Sequence, residues 1–422
     1  MQPTLIAFRP DVDSTAMPGV TQLTSVQGFT THENFVNQAT IYSGELQQIW
    51  EQAAHTTVVG GRVQYGRFDT ASQQTVPSQL ASVFPVPPTA AAQQDTTSLF
   101  RRFSFYGYHQ WQLFEPLQLI GGLAYDRITF PENFRSAPIS GREETRDGLS
   151  PKAGLIWTPA KDTAVRFAYT RSLAGASLDQ SYQLEPSQVA GFVQSYRSII
   201  PESISGASAG AKFETYNLSI EQKFRTGTYL GISGELLNSS VRRTAGAFDY
   251  LLDELDHPVP SGLRENLEYQ EKSLQFTANQ LLGQEWALGA RYRISQAVLN
   301  DSYIDVPNFV PNGFVNFQPR QRTKGVLQQL DLSAIYNHPS GFFSEGEALW
   351  FGQSNTGYAP GEPGDNFWQF NVFVGYRSPR RNAELVLGLL NLAGQNYNLN
   401  PLNNYNELPH DRTLTVRLRL NF

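Results

Sequence analysis

The sequence predicts an all-β chain, an antiparallel transmembrane β-barrel of about 16 strands, with 14 to 18 allowed. Three observations predict it. Apolar and polar residues alternate with a period of two along most of the 422 residues, short turns alternate with long polar loops, and aromatic residues gather near the short turns.

The alternation is explicit in several stretches. Over 215–224, Tyr216, Leu218, Ile220 and Phe224 alternate with Thr215, Asn217, Ser219, Glu221 and Lys223. Over 285–295, Trp286, Leu288, Ala290, Tyr292 and Ile294 stand against Ala287, Gly289, Arg291, Arg293 and Ser295. Over 367–377, Trp368, Phe370, Val372, Val374 and Tyr376 oppose Gln369, Asn371, Gly375 and Arg377. Successive side chains of a strand point to opposite faces, so each stretch has one apolar and one polar face.

Short turns are expected at Ala53–Thr56, Glu115–Pro116, Pro159–Asp162, Arg225–Gly227, Gly283–Glu285, His338–Gly341 and Pro379–Arg381. Long polar loops are expected between them, near 70–97, 130–148, 174–211, 241–265, 299–322, 354–366 and 396–410. A sandwich has turns of mixed length at both ends, whereas an outer-membrane barrel has short periplasmic turns and long extracellular loops. Seven turns give fourteen strands and the closing strand 411–422 a fifteenth. A strand within 3–36, from Leu5–Phe8 or Thr21–Phe29, makes sixteen. Residues 1–40 are read as the segment supplying that first strand and 41–422 as the barrel, one domain overall.

Trp50, Phe114, Trp157, Phe224, Tyr229, Trp286, Tyr336, Phe342 and Tyr376 lie within a few residues of the short turns. Rings with an apolar body and a polar or polarisable edge settle at membrane–water interfaces, so these residues predict an aromatic girdle. The closing strand shows both faces at once. Leu414, Val416, Leu418, Leu420 and Phe422 form a lipid-facing stripe, while Arg417 and Arg419 belong to the wet interior. Phe422, the last residue, is read as an assembly signal.

Composition narrows the function classes. Charged residues are 17%, below the usual ~25%, and aromatics are 12%. Mean hydropathy is −0.36, and no run approaches the ~18 apolar residues of a membrane helix. The absence of cysteine excludes a disulfide scaffold, a thiol nucleophile and a Cys-ligated metal, and suits a chain that crosses an oxidising periplasm. A net charge of −6 argues against nucleic acid as a partner. MQPTLIAFRP at the start lacks the features of a signal peptide.

LSPKAGLIWTPAKDTAVRFAYTRSL at 149–173, LEPSQVAGF at 184–192 and FETYNLSIEQKFRTGTYLGISGELLNS at 213–239 resemble the barrels of TonB-dependent receptors. The strand ending in Phe422 resembles the signal read by the barrel-assembly machinery. The resemblance implies an outer-membrane location, with outer-membrane lipid and that machinery as partners. Residues 1–40 do not resemble the plug or TonB-binding segment of such receptors, and about 16 strands fall short of their roughly 22. The size also suits the barrel that ends tetratricopeptide-repeat proteins exporting polysaccharide.

Thirteen charged residues are expected to line the pore: Lys152, Arg166, Glu221, Lys223, Glu235, Arg291, Arg293, Asp331, Glu345, Glu347, Arg377, Arg417 and Arg419. Such a wall screens solutes by charge and hydrogen bonding, or simply pairs its charges across strands. The expected function is passage of solutes or of an exported polymer, without covalent chemistry or a cofactor. Two alternatives are an importer of the TonB-dependent type lacking its plug here, and a surface anchor binding periplasmic or cell-surface proteins. His109 shares a strand face with Trp111 but with no Ser, so it offers little for catalysis. The loops DELDHP (253–258) and NDSYID (300–305) carry carboxylates but lack a calcium-loop spacing. Gly60–Gly61 and Gly121–Gly122 are read as relieving crowding or permitting barrel curvature, not as cradling phosphate, because no helix follows them.

Overall fold

The computed structural model describes residues 4–9, 25–29, 32–75, 93–174, 183–194, 210–251, 254–306, 318–358, 361, 364–378, 382–397, 399 and 408–420. Two short strands come first, β1 (Thr4–Arg9) and β2 (Ser25–Phe29). The wall begins with β3 (His32–Gln52) and β4 (His55–Thr75), then β5 (Gln93–Phe114) and β6 (Leu117–Asn133). It continues through β7 (Ser140–Ala160) and β8 (Thr163–Leu173). A small hairpin, β9 (Gln188–Val189) and β10 (Phe192–Val193), forms a sheet of its own. The wall resumes with β11 (Lys212–Lys223), β12 (Thr228–Leu251), β13 (Glu254–Leu282) and β14 (Trp286–Tyr303). It ends with β15 (Arg320–Asn337), β16 (Phe342–Thr356), β17 (Asn366–Arg377), β18 (Ala383–Leu390) and β19 (Thr413–Leu420).

Fifteen of these strands, β3–β8 and β11–β19, pair in unbroken antiparallel succession. The long range pairing of β8 with β11 carries the sheet across the 174–211 connection. This is what a bilayer demands: a backbone group left unpaired in hydrocarbon costs several kcal/mol, so only a continuous ladder can face lipid. β3 and β19 both run toward the short-turn side, so antiparallel closure between them takes an odd number of further strands. The segments expected to hold a sixteenth strand do form strands. They pair with each other, and β1 also runs parallel to the far end of β12, with Leu5 opposite Ala247.

The short turns fall where expected, except that the turn spanning Pro379–Arg381 lies outside the described residues. Two of the expected loops are instead strand. Residues 130–133 and 140–148 extend β6 and β7, and 241–251 and 254–265 extend β12 and β13. A barrel strand crosses the bilayer in about 9–11 residues, whereas β12 has 24 and β13 has 29. Beyond the bilayer no lipid face imposes the period of two: Ala245, Ala247 and Leu263 are instead buried with Val306, so the alternation that marks a strand is lost, although the hydrogen-bonded ladder continues.

The outward face is apolar. Leu218, Ile220, Leu230, Ile232, Leu274 and Phe276 are all exposed on it, as are Leu414, Val416, Leu418 and Leu420 at the last strand. All six tryptophans point outward, at 50, 111, 157, 286, 350 and 368. They and the outward tyrosines form two rows. Near the short turns stand Trp50, Trp157, the Trp286–Tyr336 pair (ring centroids 4.8 Å apart) and the Phe342–Tyr376 pair (4.9 Å). Toward the long-loop side stand the directly paired Tyr42 and Tyr65, Tyr169 and Tyr216 (5.0 Å), and Trp350 and Trp368. On β16 and β17 the rows are about eight residues apart, roughly 26 Å along a strand at ~3.3 Å per residue. A tilt near 40° brings this to about 20 Å, close to the ~25 Å apolar band of outer-membrane barrels. Tyr229 does not join the girdle. Its register opposite Lys223 turns it inward, where the Lys223 ammonium lies 5.6 Å from its ring centre.

Candidate functional site

The inner wall is the candidate site, and it has two tiers. All thirteen charged residues expected in the pore alternate with the outward apolar stripe and so share the inner face. Most sit in the half of their strands nearer the short turns. Cross-strand pairing neutralises many of them. Arg166 donates to Glu221 at 2.6 Å, and Arg291, directly opposite Asp331, donates to it through Nε at 2.8 Å. Arg293 approaches Glu271 at 3.5 Å. Glu384 takes Arg377 at 2.8 Å and Arg417 at 3.5 Å, and stands opposite Arg419 in register. Glu347 accepts from Asn371 Nδ2 at 3.0 Å, while Glu345 stands two residues away on the same face. Lys223 lies opposite Tyr229 near the short-turn side, and Glu235, opposite Asn217, lies six residues further along β12. A cavity of about 590 Å³ opens beside Lys223, lined by Glu221, Lys223, Tyr229 and Ser233 among others.

The second tier, toward the long loops, is apolar and was not foreseen. Phe213, Leu237, Leu267, Leu299, Leu327, Phe351 and Phe367 come from seven consecutive strands, β11 to β17, and are buried on the inner face as one cluster. The connection after β18 folds in over them. Phe351, Phe367, Tyr397 and His410 stack in sequence, with centroid separations of 5.5, 4.9 and 4.1 Å and planes within 11°. Asn391 fixes this connection: its side-chain amide donates to the carbonyls of Gln395, Pro409 and His410, each at 3.0 Å. The Tyr397 hydroxyl adds a bond to the Leu408 carbonyl at 2.6 Å. The signal was an apolar residue on the polar face near a strand's far end, as at Phe213, Phe351 and Phe367.

On the opposite side, β3–β8 carry buried polar groups that alternation alone could not rank. Arg102 and Asp126 pair at 2.8 Å with both side chains under 10% exposed, and Ser104 Oγ donates to the same carboxylate. Lys152 Nζ meets the Glu185 carboxylate at 2.9 Å and the Tyr108 hydroxyl at 2.7 Å. Gly60 and Gly122 relieve crowding as expected: a Cβ at Gly60 falls 2.4 Å from the Tyr106 ring, and one at Gly122 falls 2.7 Å from that of Tyr108.

The remaining expectations are placed as follows. His109 faces outward near the short turns, with Trp111. Its ring nitrogens lie 2.9 Å from Thr57 Oγ1 and 3.2 Å from His55 Nδ1, contacts that a single strand cannot reveal. Asp305 of the NDSYID loop pairs with Arg264 at 3.0 Å, and the DELDHP side chains lie outside the described residues. Beyond the bilayer, Glu265 pairs with Arg243 and accepts from the Tyr303 hydroxyl at 3.2 Å. Burial, reinforced by the Glu265 carboxylate, holds the Tyr303 phenol well above its ordinary pKa. Phe422 also lies outside the described residues.

A continuous antiparallel wall, apolar and aromatic-girdled outside and carrying its charges on the inner face, defines an outer-membrane β-barrel. The chain belongs to the TonB dependent receptor-like β-barrel family, whose model matches residues 7–392, and its place is the bacterial outer membrane. No curated protein sequence matches it. Among solved structures it is similar to the copper transporter OprC, with 13% identity and a TM-score of 0.53, over 98% of this chain and 59% of that one. It is similar to the FrpB iron transporter from Neisseria meningitidis (10% identity, TM-score 0.53, 93% of this chain and 56% of that one). A third is the receptor in the FpvAI–pyocin S2 complex (12%, TM-score 0.52, 95% and 53%). At these identities the likeness is one of fold, and the chain spans between half and three-fifths of their length.

Proposed function

We propose that this barrel imports a scarce solute carried as a compact metal complex, rather than admitting small solutes by free diffusion. The apolar inner tier carries the reading. A diffusion channel is wet and polar throughout, whereas seven strands here turn apolar side chains into the lumen on the outward-opening side, capped by the Phe351–Phe367–Tyr397–His410 stack. Ligand sites combine apolar and aromatic lining with a few placed polar groups, and the paired charges below the collar suit a passage that a bound cargo crosses in stages. The copper and iron transporters that share the fold support a metal cargo. The thirteen inner-face charges then act as the polar lining of that passage, with Arg417 and Arg419 near its periplasmic mouth.

The test is a calorimetric titration of the full chain in lipid nanodiscs with ferric tris-catecholate, Cu(II) and, as a neutral control, glucose. The expected result is saturable binding of one metal species and not of glucose, weakened about five- to 150-fold by Phe367→Ala and Tyr397→Ala together, since two stacking contacts of about 0.5–1.5 kcal/mol each are lost. Absence of saturable binding, together with ready glucose permeation into proteoliposomes, contradicts the reading.

A further inference from the structure

The connection between β8 and β11 contains a self-structured knot, residues 183–194. Ala190 and Gly191, with φ of 51° and 88°, make the two-residue turn of the β9–β10 hairpin; two positive φ angles are what a tight hairpin turn of this hand requires. Gln194 closes the knot, its backbone N–H donating to the Ser187 carbonyl and its side chain to the Pro186 carbonyl, both at 2.8 Å.

The knot does not lie over the outer rim. It is seated inside the barrel, against the inner faces of β3 to β8, well within the span of the bilayer. Val189 and Ala190 are buried among Val58, Tyr106, Tyr108, Ile120 and Ala168. The wall makes room for them: a Cβ on Gly154 falls 2.8 Å from Val189 and 3.1 Å from the Ala190 Cβ. Two polar latches hold the N-terminal end. Glu45 accepts the Leu184 amide at 2.9 Å and the Glu185 amide at 3.1 Å, while also accepting the Tyr106 hydroxyl at 2.9 Å. The Glu185 carboxylate receives Lys152 at 2.9 Å and the Tyr108 hydroxyl at 2.6 Å.

We propose that residues 183–194 are a wall-borne gate: a strap that obstructs the lumen when latched by Lys152–Glu185 and Glu45, and widens the passage when it detaches as one unit. Each latch residue is polar and faces a hydrated lumen once the strap leaves, so detachment exchanges protein partners for water. It does not strand a charge in lipid. The obstruction concerns the passage and not the solute, so a failed binding titration leaves the gate intact and a failed gate leaves the collar's cargo open.

Two measurements on the full chain test it. Because the sequence has no cysteine, Gly154→Cys with Ala190→Cys gives a single possible disulfide, whose Cβ atoms need shift by under about 1 Å to reach bridging distance. Oxidation in native membranes is expected to link them, read as a mobility change reversed by reductant. In planar bilayers, Lys152→Met and Glu45→Ala, each removing one latch, are each expected to raise single-channel conductance about twofold or more, as a polar lumen conducts through its open cross-section. A folded double-cysteine variant that does not cross-link overturns the seated strap. Unchanged conductance in both unlatching variants overturns the gate.

Discussion

Replacing Asp126 by Ala is expected to destabilise the barrel by about 3–5 kcal/mol, the cost of leaving one partner of a buried ion pair uncompensated. The geometry makes this the most sensitive charge described on the inner wall. Asp126 receives Arg102 through Nη2 at 2.8 Å and Nε at 3.1 Å, and Ser104 at 2.5 Å, with both charged side chains almost fully covered. An exposed pair such as Arg67–Asp69 contributes about 1 kcal/mol or less. The diagnostic comparison is the double change Arg102→Met with Asp126→Ala. It is expected to recover most of the loss, because neither member of the pair is then left as a buried charge without its partner. Reversible guanidinium unfolding in lipid measures both. Equal losses in the single and double variants would show that packing, not charge, sets the cost.

The second large effect follows from the two faces of one strand. Ile232 and Ser233 are neighbours on β12 at almost the same depth, but Ile232 is exposed outward opposite Phe276 and Ser233 faces the inner cavity. Ile232→Arg is expected to cost about 2–4 kcal/mol, the penalty of an arginine on the lipid face at mid-depth. Ser233→Arg places the same charge in a hydrated lumen near Glu221 and Glu235, and is expected to cost under about 1 kcal/mol. The same unfolding titration reads both, and similar costs for the two variants would mean that the faces are misassigned.

The outer face was legible because lipid permits only one kind of residue there, and a period of two survives without any knowledge of neighbours. For the same reason Arg417 and Arg419 stand on the face of β19 opposite the exposed Leu414, Val416, Leu418 and Leu420. Depth was less legible. Tyr229 lies beside a short turn like its girdle neighbours, yet the register set by the 224–227 turn points it inward. Strand length was lost beyond the bilayer, where 241–265 reads as loop because no lipid face imposes a period of two and residues such as Ala245, Ala247 and Leu263 are buried against Val306 instead. The strap was least legible. LEPSQVAGF stands out only as a loop, whereas the groups that hold it lie far along the chain. Lys152 is 33 residues from Glu185, and Glu45 is 140 residues from it. Cross-wall contacts of this kind depend on the register of six strands together. Single-strand patterns carry none of that information.

The account stands on the sidedness of the wall, and single cysteines along β14 test it most directly, since the chain supplies no background thiol. In outer membranes, cysteines at 288, 290, 292 and 294 are expected to react with a lipid-soluble maleimide and resist a charged, water-soluble one. Those at 287, 289, 291 and 293 are expected to show the reverse. A strict alternation of the two reagents over these eight positions is the predicted result. Uniform reaction of both sets with the water-soluble reagent would contradict a membrane-spanning barrel.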